Sequence, residues 1–344
     1  MNNPLYPWQI PAWKQLQQLR ERLPHAILFH GMEGIGKVAF AEHFAQSVLC
    51  DAPGADGHAC GKCASCGWFS QYSHPDYRRV RPEILEEEGV DSDDTTETDG
   101  KKSTKASKTP SKEIKIDQIR ALADFMNIST HRQGMRVIVL YPAEALNVAA
   151  ANALLKTLEE PPPHTLFLLV THGIDRLLPT ILSRCRKFAL NMPSFDDALR
   201  WLTAQGVKDA DVWLAEQGGA PLAAHALALA GNREETDQFL QFLAAPGVEG
   251  ALKTADRLQK VAAVQLVALL QRWLYDLFSV KLSGKVRYYP RHQPALQTLA
   301  AKVDVAALLQ ALKNLNERKA TAEHPLSAKL FIEDMLLDYA QLCS

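Results

Sequence analysis

Residues 26–40 read AILFHGMEGIGKVAF. An apolar run suited to a buried strand leads into glycines at 31, 34 and 36, then Lys37, then a helical pattern. Gly31, Gly36 and Lys37 meet the spacing of a phosphate-binding loop, GxxxxGK[ST], in the strand-turn-helix context that loop requires. In such a loop the backbone N–H groups of the turn and of the helix N-terminus point at phosphates, and the lysine adds positive charge. The next position breaks the pattern: Val38 stands where a hydroxyl would bind magnesium. The stretch therefore implies a parallel α/β domain and leaves three chemical readings: a working ATPase, a former one, or a glycine turn that merely packs.

Working outward, the first half alternates short apolar strands with amphipathic helical patterns, as a parallel sheet requires. Strands are expected at AILFH (26–30), YRRV (77–80), RVIVL (136–140), TLFLLV (165–170) and KFAL (187–190). Helices are expected over 13–23, 37–49, 116–128, 148–160 and 175–184, the fourth stopped by Pro161, Pro162 and Pro163. From about Asn191 onward strand signals give way to Ala and Leu at helical spacing, as in LVALLQRWLYDLF and AKLFIEDMLLDYA. The second half reads as all helical, with the Gly218-Gly219 break and the turn at 245–247 separating a small helical group from a larger bundle.

Residues 86–112, EEEGVDSDDTTETDGKKSTKASKTPSK, hold few apolar side chains, an acidic block followed by a basic one. Such a segment cannot bury enough surface to offset its ordering entropy and is expected to be a disordered insertion. A solvated loop is preferred over a charged tether for DNA or a partner.

At 344 residues the chain is expected to hold two or three domains. Thirty-eight basic and 39 acidic residues leave a net charge of −1, which argues against an autonomous nucleic-acid binder and assigns any DNA contact to a shared surface. No apolar run reaches the roughly 20 residues of a membrane helix, and MNNPLYPWQIPAW does not read as a signal peptide. A cytoplasmic protein without membrane partners is the expectation.

Four of the six cysteines, Cys50, Cys60, Cys63 and Cys66, fall in one Gly- and Pro-rich segment. In a reducing compartment this points to metal rather than disulfides. Overlapping CxxC turns suit tetrahedral zinc, and an all-thiolate shell is structural rather than catalytic. A redox CxxC is the runner-up and leaves the outer cysteines unexplained. Cys185 and Cys343 read as ordinary buried thiols.

Hydrolysis also needs carboxylates at the end of a second apolar strand. After RVIVL stand Tyr141 and Pro142, and the nearest carboxylate is Glu144, two residues further on. Nucleotide binding by Gly31, Gly34, Gly36 and Lys37 stays open, while turnover is not expected.

HPDY (74–77), ANALLKTLEEPP (151–162) and TILSRC (180–185), with the phosphate loop and the four-cysteine module, closely resemble the clamp-loader subunits of bacterial DNA polymerase III, members of the AAA+ group. The resemblance is detailed over residues 1–190 and architectural beyond. It implies an AAA+ P-loop domain over 1–190 with a zinc module at 50–66, a helical lid at 191–232 and a helical collar at 233–344. Within the family, motor subunits keep an intact loop and an Asp-Glu pair, whereas a non-hydrolysing kind keeps the zinc module and the SRC motif without them. This sequence is similar to the second kind through Val38, Tyr141 and Pro142. Leu222, in GGAPLAAHAL (218–227), falls where motor chains carry a sensing arginine. No counterpart is evident of the extension with which long motor subunits bind polymerase and helicase.

The resemblance further implies partners: motor (tau/gamma) subunits and the clamp-opening delta subunit in a ring, acting on the sliding clamp and primed DNA. It assigns Ser183-Arg184-Cys185 to an arginine finger, with Arg184 reaching in trans into a neighbour's ATP site to stabilise γ-phosphoryl charge. The plainer alternative for Arg184 is a cation at a helix C-terminus. Arg176, Arg186 and Lys187 could share that interface. Thr171 takes the place of the first sensor with a structural role. Lys156, Glu159 and Glu160 ride on a helix whose Leu154, Leu155 and Leu158 pack on the sheet, and their charges could equally be surface ion pairs. The rival is an active motor with an unusual magnesium site built around Glu144. An autonomous zinc nucleic-acid-binding module is a third, disfavoured by charge.

Overall fold

The computed structural model describes residues 5–87, 110–128, 130–131, 134–231, 233–322 and 327–344. They divide into two units, Met1–Pro193 and Ser194–Ser344.

The first unit is built on a five-stranded sheet: β1 (Ala26–His30), β2 (Tyr77–Val80), β3 (Arg136–Leu140), β4 (Thr165–Thr171) and β5 (Arg186–Ala189), in the order β2-β3-β4-β1-β5. Every pairing is parallel. A parallel sheet is stable only when helices cover both faces. Here the strands' alternating side chains feed two cores. Ile27, Phe29, Val139 and Leu168 pack with Trp13 of α1 (Ile10–Gln18) and Phe40 and Phe44 of α2 (Lys37–Leu49). Leu28, Ile138, Leu140 and Phe167 pack with residues of three later helices. Those helices are α5 (Ile116–Asn127), α6 (Val148–Glu159) and α7 (Pro179–Arg184); α3 (Ala64–Ser70) and the single turn α4 (Ile84–Glu87) precede them. The side chain of Asn147 caps α6 by accepting the Ala150 N–H at 2.9 Å.

The five expected strands form within one residue at each end. Two helices differ. The expected helix over 13–23 starts earlier and tightens into a 3₁₀ turn at Arg20–Arg22. The one expected over 175–184 splits into a 3₁₀ turn, Ile174–Arg176, and α7. Pro179 has no N–H to continue the first turn and holds Leu178 extended (φ −59°, ψ 133°). Helix α3, inside the cysteine segment, was not expected.

Residues 88–109 of the charged insertion lie outside the described residues. Its expected start at 86 needs correction, because α4 is helical through Glu87. Its end is also tied down. The Ser111 N–H donates to Glu83 Oε2 at 3.0 Å, and Lys115 pairs with Glu83 Oε1 at 2.8 Å, so Glu83 holds the returning chain beside the departing one.

The second unit is helical throughout its described residues. A small group, α8 (Phe195–Ala204), α9 (Ala210–Glu216) and α10 (Pro221–Ala230), closes over Ala198, Leu202, Leu214 and Ala224. Ser194 caps α8, and Asp196 and Asp197 suit its positive N-terminus. A larger group follows: α11 (Glu234–Ala244), α12 (Val248–Leu258), α13 (Ala263–Ser283), α14 (Gln293–Lys302), α15 (Val305–Thr321) and α16 (Ala328–Leu342). Its core surrounds Trp273, Tyr289, Leu296, Leu308 and Leu336. Gly284, in the left-handed region at φ 69°, ends α13. Among the described residues no single helix is long and apolar enough to cross a membrane.

A buried relay holds this larger core. Trp273 Nε1–H donates to the Tyr339 hydroxyl at 2.7 Å, which donates to the Leu243 carbonyl at 2.7 Å. Tyr339→Phe leaves both partners unpaired and is expected to lower unfolding free energy by about 1–3 kcal/mol in urea titrations.

Candidate functional site

The C-terminal edge of a parallel sheet is where α/β ligand sites form, and the phosphate loop lies there. His30 ends β1 opposite Thr171 of β4 and Ala189 of β5. The loop then turns through Gly31 (φ 149°), Gly34 (φ 76°) and Gly36 (φ 84°) into α2. A Cβ at Gly31 would collide with the Leu190 carbonyl oxygen. At Gly36 it would lie 2.6 Å from the Tyr6 ring and 2.8 Å from Gln9 Nε2. Both positions require glycine.

Lys37 and three carbonyls of the loop make internal bonds. Lys37 is 3% exposed, and its Nζ donates to the Met32 carbonyl at 2.5 Å. Burial lowers its pKa to about 8, against the partial opposition of Glu33 and Glu144. Trp8 Nε1–H donates to the Ile35 carbonyl at 3.0 Å. Gln9 Nε2 donates to the carbonyls of Ile35 and Gly36 at 3.1 and 2.9 Å. Tyr6 and Trp8 stack 4.9 Å apart, with Tyr6 against Gly36. Val38, in the hydroxyl position, packs against the core shared by α1 and α2. Beyond β3, the Tyr141–Pro142 peptide is cis, and Tyr141 packs against the same core. Glu144 Oε1 accepts the His172 N–H at 2.9 Å, and its buried Oε2 has no hydrogen-bond partner. Thr171 is buried and makes a local turn, donating to Gly173 O and accepting from Gly173 N–H.

The four cysteines come together: their Sγ atoms all lie within 4.8 Å of one another. Cys50 and Cys63 are 3.9 Å apart, Cys60 and Cys66 4.0 Å. A tetrahedral zinc–thiolate shell has sulfur–sulfur edges of about 3.8 Å, so the four residues fit that metal. Cys50 caps the end of α2 and Cys63 the start of α3, its sulfur accepting the Cys66 N–H. The Cys60 sulfur accepts N–H groups from Lys62 and Cys63, which stabilise the thiolate and lower its pKa to about 6. Burial pushes Cys66 upward. The loop between Cys50 and Cys60 is braced by Trp13, which stacks on His58 at 4.6 Å and donates to the Asp56 carbonyl. Cys185 and Cys343 are buried elsewhere; burial raises Cys185 to about 11.

Arg184 is the last residue of α7 and one-third exposed. Its Nη2 meets Glu159 Oε1 at 2.5 Å, and Nη1 donates to the Thr180 carbonyl at 3.0 Å. Both plainer readings, helix-end cation and surface ion pair, describe this resting contact. Arg176, Arg186, Lys187, Lys156 and Glu160 are exposed. Leu154 and Leu158 are buried against the sheet with Leu155 beside them. Leu222, in the second unit, is half-buried near the start of α10. Sequence reasoning missed Tyr6, Trp8 and Gln9, whose signal was only an aromatic, proline-flanked YPWQIP with no local partner.

A phosphate loop after β1 in a parallel sheet ordered β2-β3-β4-β1-β5, with an all-helical unit following, defines a P-loop protein of the AAA+ class. Residues 8–194 match a family model described as DNA polymerase III, delta subunit. DNA polymerase III subunit delta' of Pseudomonas aeruginosa is 35% identical, covering 98% of each chain. That of Escherichia coli is 31% identical over 90% of this chain and 83% of its own length. Among solved structures, a DNA polymerase III gamma subunit-related protein of Thermotoga maritima aligns over 97% of this chain and 100% of its own, at 18% identity and TM-score 0.46. The chain belongs to the delta-prime family of DNA polymerase III subunits.

The buried Lys37 predicts a pH signature. Folding holds its pKa at about 8 against 10.5 ordinarily, so unfolding takes up a proton between those values. Stability then rises with pH across that window. Lys37→Met is expected to remove this rise in urea titrations at pH 8 and 10; equal slopes would place the ammonium in solvent.

Proposed function

We propose that this chain is the non-hydrolysing stator of the DNA polymerase III clamp loader and acts on a neighbour's active site through Arg184. The observation that carries this is the pairing of a phosphate loop whose lysine is bonded to its own backbone with a guanidinium at a helix end. Val38, Tyr141 and Pro142 occupy the positions that would hold magnesium, while Lys37 spends its charge on Met32. Arg184, held by a half-exposed Glu159, can exchange that carboxylate for a phosphoryl group, because a planar guanidinium matches both. On this reading Glu159 parks the finger between encounters.

The first unit serves as the AAA+ domain, α8–α10 as its lid and the larger helical group as a collar. The subunits named in the family, tau, gamma and delta, are the partners, and the assembly loads a sliding clamp onto primed DNA. The four thiolates hold a structural zinc ion, which joins the end of α2 to the start of α3.

One observation favours the rival, an active motor. Glu144 keeps a buried oxygen without a hydrogen-bond partner, and its charge is felt at Lys37. Magnesium-dependent hydrolysis by the isolated chain would establish the rival, whereas the stator shows none.

In the reconstituted loader, Arg184→Ala is expected to cut clamp- and DNA-stimulated ATP hydrolysis at the site it serves by roughly 10³-fold or more with the assembly intact. An unchanged rate would remove the finger. Cys63→Ser is expected to release zinc, read by elemental analysis, and to lower the melting temperature of the first unit. Unchanged metal content would count against a four-thiolate centre.

A further inference from the structure

The near-neutral charge of the whole chain hides a local asymmetry. Between Arg257 and Val303 the sequence carries eight Lys or Arg residues and one acid, Asp276. That acid is removed from the surface. Asp276 is fully buried, and its two oxygens accept the N–H groups of Arg287, Tyr288 and Tyr289 at 2.8–3.1 Å. Its charge is spent on shaping the segment that follows α13. Tyr289, buried behind that segment, donates its hydroxyl to the Leu269 carbonyl at 3.1 Å. The loop 285–291 is therefore fixed from beneath, while Lys285 and Arg287 stand exposed on it. Arg291, one of the eight, is paired with Asp209 at 2.9 Å.

Beside these cations lies an aromatic surface. Tyr275, on α13, is 41% exposed. Its ring meets Tyr288 edge-on at 5.6 Å, and the Arg287 guanidinium lies 5.9 Å from its centroid. An open ring propped by a second ring and flanked by a guanidinium, with Lys285 two residues away on the same loop, is a platform on which a planar base can stack while cations follow the phosphates. Because Asp276 already fixes the loop, little ordering entropy remains to oppose binding.

We propose that Tyr275, Lys285 and Arg287 form a binding surface for single-stranded nucleic acid. A duplex hides its base faces and offers the ring nothing to stack on; an acidic peptide matches the charge but not the ring. The proposal stands apart from the stator role, since the isolated chain suffices to test it.

The test is fluorescence anisotropy of a labelled oligothymidylate with the full chain, titrated at several salt concentrations. Wild type is expected to bind saturably at low salt. The double substitution Lys285→Ala/Arg287→Ala is expected to weaken binding and to reduce the slope of log K against log salt by about 1.4, the release expected from two phosphate contacts on a single strand. Tyr275→Leu is expected to weaken binding roughly tenfold with that slope unchanged. Arg257→Ala/Lys260→Ala removes the same charge near the other end of α13 and should leave affinity intact. All these side chains are exposed, and unchanged melting curves confirm that each variant is folded. No saturable binding, equal losses from the two charge pairs, or equal competition by a duplex or by polyglutamate would overturn the proposal.

Discussion

The first unit depends on one constraint: β1, β3 and β4 are buried on both faces. The side chains of Ile27, Leu28 and Phe29 are fully withdrawn from water, as are Val137, Ile138 and Val139. A strand with two dry faces needs helices above and below, so the chain must alternate strand and helix and keep every strand parallel. From that follows a common edge at which all five strands end. The phosphate loop, the Tyr141–Pro142 bend and the Thr171 turn share that edge because the topology leaves them nowhere else. The apparatus of an ATP site is thus a by-product of sheet geometry, and its loss can proceed residue by residue without loss of the fold. Val38 illustrates this: a side chain that cannot bind magnesium still packs well against the core.

What the sequence made legible was set by how local each signal is. An apolar run such as RVIVL names itself as a strand, and four cysteines within one short segment name a metal centre, because spacing alone limits where their sulfur atoms can go. Proline at 161 stopped α6 as expected. Proline at 179 was overlooked, because the apolar residues on either side continue the helical period across the break. The site was less legible than the fold. Lys37 could be placed in the loop by motif, but its bond to Met32 depends on a turn geometry that the motif does not encode. The clasp of Trp8 and Gln9 on Ile35 and Gly36, the stacking of Trp13 on His58, and the hold of Glu159 on Arg184 join residues far apart in sequence. None of these pairs carries a periodic or compositional mark.

The same distinction applies to charge. Thirty-eight cations against 39 anions describe a neutral chain, yet between Arg257 and Val303 eight cations accompany a single carboxylate, and that one is buried. Whole-chain charge measures what a protein does to bulk ions; recognition is decided within a Debye length, about 8 Å at physiological salt. Asp276 is withdrawn from the surface and holds the backbone of Arg287, Tyr288 and Tyr289 from below.

The clasp on the phosphate loop has a consequence for timing. The carbonyls of Met32, Ile35 and Gly36 are already engaged, by Lys37, Trp8 and Gln9. These bonds brace the loop from within before any ligand arrives. On the proposed stator reading, such a member contributes no dwell of its own to a machine whose other subunits bind, hydrolyse and release. On that same reading, the loop serves as the reference against which its neighbours' movements are made.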